Sequence, residues 1–291
     1  MWLSPTDSVP RRSSHRKTII PMQSFRSFEH SGWSERDLCE TYDATLGTVT
    51  TQCIGALLDA AHVQLGTRTL DIATGPGYVA GAALKRGAQP TGLDFSEAQV
   101  TLARHRYPSI SFQAGDAEAL SFADGSFDAV VNNFGTPHFP NPEVAMREAF
   151  RVLRHGGHFA FTVWDAPERA VGFGAVYAAI RAYGSLDVGL PVGPNFFLYS
   201  DPEACKRSLL SAGFVKPVVT VVPQVWRAPS ADAIFDTIMN GTVRAAATLK
   251  AQTSQAQESI RVALRATFST YGRDAGYEIP MPAVLASAVR G

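Results

Sequence analysis

The chain has 291 residues, its 26 lysines and arginines balance 26 aspartates and glutamates, and 45% of it is hydrophobic. That balance leaves no net field to draw in nucleic acid or an anionic membrane, and a length above the ~100–200 residues of a typical domain predicts one enlarged domain. No apolar run reaches the ~20 residues that cross a bilayer, no secretory pattern opens the chain, and Cys39, Cys53 and Cys205 have neither paired spacing nor a histidine cluster; a cytoplasmic protein with reduced thiols, no membrane insertion and no metal site is expected.

In chain order, residues 1–22 are basic, serine-rich and interrupted by prolines, which predicts a disordered tail with Met22 as a second candidate start. An organellar address has a similar composition, but the prolines oppose an amphipathic helix. Residues 23–66 read as a helical segment. Within it Val49, Cys53, Ile54, Leu57, Leu58 and Ala61 recur at helix spacing and put one apolar stripe against a sheet. Phe28, Trp33 and Tyr42, ahead of that stripe, suit either a staple on the core or a cover over a ligand.

Residues 68–77 read as a buried strand that breaks into a glycine turn and opens a helix, the form of a nucleotide-cofactor cradle. Gly75 and Gly77 let the backbone approach a ligand with no Cβ in the way, although tight turns use glycine for steric reasons alone as well. Asp71 places a carboxylate at the strand end. A pyrophosphate wants bare N–H groups, so the acid argues against phosphate and for a ligand with an ammonium and a sulfonium, such as S-adenosylmethionine.

The segments that follow strengthen that reading. A second strand ends at Asp94, just before Phe95 and about 20 residues on, where a carboxylate can accept ribose hydroxyls. A third leads to Asp116 and Ala117, where an adenine amino group could donate. A fourth, residues 127–132, is continuously apolar up to Asn132 and is followed by a loop carrying His138. A fifth is expected at 158–164. Ser96 with Gln99 forms a candidate capping box, Asn141 before Pro142 a candidate N-cap, and Gly87 and Gly156 candidate C-caps.

In this order, residues 70–77, 92–96, 115–122, 126–128 and 151–157 resemble the class I S-adenosylmethionine-dependent methyltransferases. The likeness is to the small-molecule branch that includes the ubiquinone and menaquinone C-methyltransferases, and it covers residues 68–164. It implies an α/β, doubly wound, Rossmann-like sheet of seven strands with the last antiparallel. It also implies that Thr74, Gly75 and Gly77 hold the methionine moiety, Asp94 the ribose, and Asp116 with the Ala117 backbone the adenine; Asp71, Phe95 and Asn132 complete the expected cofactor contacts. Thr74 departs from the glycine or alanine frequent at its position.

Beyond residue 164 the chain is predicted to continue as a helix at 170–184 and a proline- and glycine-rich loop at 189–199. A helix capped by Ser200 or Asp201 and a strand at 214–222 should follow. Short and long helices near Ile234 and Leu264 and a last strand at 279–288 complete the expected elements. Insertions at 165–199 and 229–273 thus interrupt the sheet near its cofactor side, and loops of that length are usually functional. They are the expected helical cap of a domain spanning 67–291. Phe173, Tyr177, Phe196 and Phe197, with Tyr199, Trp226 and Met239, are candidates to line an apolar or aromatic acceptor pocket, although for any single one of them ordinary core packing is the commoner role.

Methyl transfer from a sulfonium is an in-line displacement, which needs alignment and exclusion of water but no metal. A base is needed only for a nucleophile that must lose a proton, and His138 is the candidate by topology; a histidine there also serves to shape the loop. The expected partner is a small-molecule acceptor, with the acceptor atom open among oxygen, nitrogen and carbon and no oligomeric state specified. Two rival readings stand beside this one. An NAD-dependent oxidoreductase wants a third glycine where Ala80 stands and no acid at Asp71, while a non-catalytic, regulatory S-adenosylmethionine-binding protein shares the cofactor motifs.

Overall fold

The computed structural model describes residues 24–291, so the tail expected at 1–22 lies outside the described residues. Four helices come first: α1 (Phe25–Ser34), α2 (Arg36–Ala44), α3 (Gly47–Thr50) and α4 (Ile54–Ala60). Strand and helix then alternate through β1 (Arg68–Ile72), α5 (Tyr78–Lys85), β2 (Gln89–Asp94), α6 (Glu97–Arg106), β3 (Ser111–Ala114), β4 (Phe127–Asn133), α7 (Pro142–Val152) and β5 (Leu153–Trp164). After α8 (Val171–Tyr183), α9 (Pro202–Ser211) and β6 (Phe214–Val222) come β7 (Val225–Ala228), α10 (Ala231–Gly241), α11 (Arg244–Lys250) and α12 (Ser254–Phe268). β8 (Gly272–Arg273), β9 (Gly276–Pro280) and β10 (Ala283–Arg290) close the chain.

The main sheet has seven strands in the order β3-β2-β1-β4-β5-β10-β6, with β10 antiparallel to both of its neighbours. The central strand β4 and the second half of β5 read as apolar runs because both sheet faces are covered there. Side chains alternate between them: Ala129, Val131, Ala160 and Leu285 face the Leu57, Leu58 and Val79 side, whereas Val130, Phe161, Val284 and Ala286 face Met146, Ala149 and Leu209. The strand order reverses between β1 and β4, and at such a switch point loops diverge and leave a crevice at the carboxyl ends of the strands.

A second core lies over that end. It joins Leu46 and Val49 to α8, α10, α11 and α12 and to a three-stranded sheet ordered β7-β9-β8. Several local signals read differently in three dimensions. The single strand expected at 279–288 is two strands in two sheets, because Pro280 and Pro282 lack the N–H a ladder needs and the chain crosses between sheets there. Helix α11 and the small sheet were not anticipated. Gly156, with φ +73°, sits in a register shift of β5 rather than at a helix end, since α7 runs straight into the strand. Asn141 caps nothing with its side chain and instead donates to Glu118.

Candidate cofactor cleft and acceptor cavity

The loop after β1 is built around Asp71, which is 1% exposed. Its Oδ2 accepts hydrogen bonds from Thr74 Oγ1 at 2.6 Å and from the Ala80 amide at 3.1 Å, which ties the turn to the first turn of α5. Its Oδ1 has no partner among the described residues. Burial pushes this carboxyl up to about 7, because a charge in a dry site is expensive unless it is fully paired. An unpaired, buried carboxylate oxygen beside an open cleft suits a cationic group. Gly75, at φ +52°, has nothing within 4 Å of where a Cβ would stand, so the turn presents bare backbone to the cleft there. Gly77 differs. At φ +84° its Cβ would meet Phe112, Tyr107 and Ala103 at 3.0 to 3.2 Å, so that glycine is required by packing under the turn.

Asp94 at the end of β2 is 5% exposed and receives the Gly75 amide at 2.8 Å and the Ser96 amide at 2.9 Å. Burial raises its pKa and those backbone donors oppose the rise. The capping box is only half formed, since Ser96 Oγ accepts from the Gln99 amide while the Ser96 amide goes to Asp94. Phe95, Asp116, Ala117 and Phe139 line the next pocket along the strand ends. Asp116 accepts from the Glu118 amide at 2.8 Å, and Arg26 of α1 reaches across the pocket to both acids.

Asn132 is spoken for inside the fold. It donates to the Ile72 carbonyl at 2.7 Å and accepts from the Thr136 amide and hydroxyl, bracing β4 against β1. The cleft is lined instead by its neighbour Asn133. His138 closes the cleft: its Nδ1 lies 2.8 Å from Glu29 Oε2 of α1, and Glu29 is 3% exposed. A carboxylate at that distance favours the proton on Nδ1, against the Trp33 indole N–H that points at the same Nδ1 from 3.4 Å, and Nε2 has no partner among the described residues.

Beyond His138 lies a cavity walled by Trp33, Tyr42, Phe134, Trp164, Phe173, Tyr177 and Phe196. Three of the expected acceptor residues, Phe173, Tyr177 and Phe196, come together there. Phe197 packs behind them, 5.1 Å from Phe196 and 6.0 Å from Tyr177 between ring centres, and Met239 packs on the second core. Tyr199 and Trp226 do not reach the cavity. Tyr199 lies in the core of the main sheet beside Phe161, because it opens the turn into α9, and Trp226 points from β7 into the second core at 2% exposure. Glu29, Phe134 and Arg26 were missed by sequence reading; the one local sign was Arg26, Glu29 and Trp33 at i, i+3 and i+7, which share a helix face.

Residues 70–161 match the family described as a methyltransferase domain. The demethylmenaquinone methyltransferase of Thermus thermophilus is 33% identical over 173 residues, 54% of this chain and 78% of that protein. That of Renibacterium salmoninarum is 38% identical over 111 residues, 38% of this chain and 47% of that protein, so the chain spans about half the length of this relative. The YcgJ protein of Bacillus subtilis shares the fold, with a TM-score of 0.55 at 21% identity over 81% of this chain and 97% of that one. The chain belongs to the class I S-adenosylmethionine-dependent methyltransferases. Within that class it is similar to the demethylmenaquinone methyltransferases. The nicotinamide reading is set aside, on physical grounds too: Asp71 already occupies the Ala80 amide at the helix start where a pyrophosphate would bind.

Proposed function

We propose that the chain transfers a methyl group from S-adenosylmethionine to a small aromatic acceptor held in the cavity between Trp33, Phe134 and Phe173, leaving S-adenosylhomocysteine. The reading rests above all on His138, which lines the cofactor cleft, the pocket of Asp116 and the aromatic cavity alike. Bound S-adenosylmethionine supplies a methyl group activated by its sulfonium. The residues present fit it: Asp71 Oδ1 offers an unpaired acceptor to a cation, the Gly75 backbone gives room, and Asp94 and Asp116 keep lone pairs for hydroxyl and amino donors.

The protein's own part is to hold the acceptor, exclude water and move one proton. The aromatic walls bind a flat apolar ring and keep the site dry. His138 Nε2 takes the proton that a phenol or carbon acid gives up, while Glu29 fixes the ring and stabilises the imidazolium that forms. A small, apolar acceptor also agrees with the names of the relatives. Incubation with methyl-labelled S-adenosylmethionine and a panel of phenols, quinols and hydroxylated aromatic acids should yield a labelled product. His138→Ala should lower turnover by ~10²–10⁴-fold with S-adenosylhomocysteine affinity nearly unchanged. Absence of label in every acceptor, with cofactor bound, would favour the non-catalytic binding protein.

A further inference from the structure

The acceptor cavity holds one cation among its aromatic walls. Arg244, at the start of α11, lines it together with Tyr177, and neither residue lines the cofactor cleft, whereas Trp33, Tyr42, Phe134 and His138 line both. Arg244 therefore marks the end of the cavity away from the methyl donor. Its Nη1 donates to the Pro191 carbonyl at 2.9 Å, and none of its nitrogens faces a carboxylate among the described residues. The other arginines of the cap behave differently. Arg169 pairs with Asp165, Arg261 and Arg265 with Asp232, and Arg273 with Glu278, while Arg181 is exposed to solvent.

A half-buried guanidinium among apolar rings is costly unless an anion or several acceptors face its N–H fork, and a single carbonyl leaves most of that fork unused. The Tyr177 hydroxyl, on the same wall, has no hydrogen-bond partner among the described residues either. Glu29 of α1 is engaged with His138. Two sets of unused donors thus converge on one end of an otherwise apolar space. A carboxylate meets a guanidinium in a two-point fork and accepts a phenolic O–H as well, which no neutral ring substituent does.

Resting on the methyltransferase reading, we propose that the acceptor is an aromatic acid, whose carboxylate is anchored by Arg244 and Tyr177 while its nucleophilic atom lies toward His138. The test is binding of benzoate, 2-naphthoate and biphenyl-4-carboxylate, each beside its primary amide, to the protein saturated with S-adenosylhomocysteine. At least one acid should bind ~10-fold or more tightly than its amide, and Arg244→Gln should cost that acid ~10–100-fold while moving the amide less than about 2-fold. Tyr177→Phe should cost the acid a smaller factor, and Arg244→Lys should restore part of the loss. Amides that bind as tightly as acids, no acid that binds at all, or an Arg244→Gln loss shared equally by acid and amide would overturn the proposal. S-adenosylhomocysteine titrated in the same samples separates the two readings, since failure to bind it would overturn the methyltransferase reading itself.

Discussion

Asp71 is a carboxylate that the fold holds at a disadvantage. Burial raises its pKa from 3.8 to about 7, so the folded state binds its proton more tightly than the unfolded chain does. Its contribution to stability is then complete below pH 3.8 and is lost progressively as pH rises to about 7. Asp71→Asn keeps an acceptor for Thr74 and Ala80 but cannot ionise. In thermal melts at a series of pH values, the variant should therefore gain on the wild type between pH 4 and 7, while its affinity for cationic S-adenosylmethionine falls more than its affinity for the uncharged thioether product. A difference between the two melts that stays flat across this range would contradict the account. The two glycines of the turn should separate as well. Gly75→Ala meets no atom and costs only the ~1–2 kcal/mol of a left-handed backbone, so it should fold and lose cofactor affinity, whereas Gly77→Val collides with Phe112 and Tyr107 and should lose stability first. Melting and calorimetry on both variants check this.

Helix α1 reaches the candidate site at several points and adds little to the core. It buries only Phe25 and Glu29, yet it reaches Asp116 and Glu118 through Arg26 and His138 through Glu29, and Ser96 Oγ donates to the Trp33 carbonyl at 2.7 Å. Arg26 is half exposed, and pairs of that kind contribute only about 0–1 kcal/mol, so the helix is held by several weak ties rather than one strong one. A segment so attached can leave without unfolding the sheet. Deleting residues 1–34 should keep the circular dichroism and cooperative melting of the parent while weakening S-adenosylhomocysteine by ~10-fold or more, as calorimetry would read. Loss of folding with the deletion would make α1 part of the core instead.

Across the whole molecule the cofactor cleft lies where β1, β2 and β4 end, and the second core closes over it with Phe134 shared between the two. Ligand in that seam binds only the folded chain. At 100 times its dissociation constant such a ligand stabilises by about 2.7 kcal/mol, which for a chain of this size corresponds to a rise in Tm of roughly 4–8 °C. S-adenosylhomocysteine should give that rise and NADH should give none. The opposite ranking in the same thermal-shift series would remove the cofactor assignment.

The strands 68–72, 89–94 and 127–133, the left-handed glycines of the first turn and the Ser96 cap were legible because their signals are local: a short strand ending beside an acid or, at 127–132, an apolar run, a backbone angle that glycine adopts freely, a side chain that reaches an amide three residues on. The acids at strand ends were legible for the same reason, since a strand's length fixes where its carboxyl end falls. Tertiary structure alone decided which aromatics share a space. Phe196 walls the cavity and Tyr199, three residues on, is buried in the main sheet's core, because an apolar ring carries the same sequence signal in a cavity wall as in a core and only packing from distant segments distinguishes them. It also decided the pairs on which the proposed chemistry rests. His138 meets Glu29 across 109 residues, and Arg244 lines one cavity with Tyr177 of another helix. No period or spacing in the chain encodes such meetings, which arise when α1 and the cap close together on the strand ends.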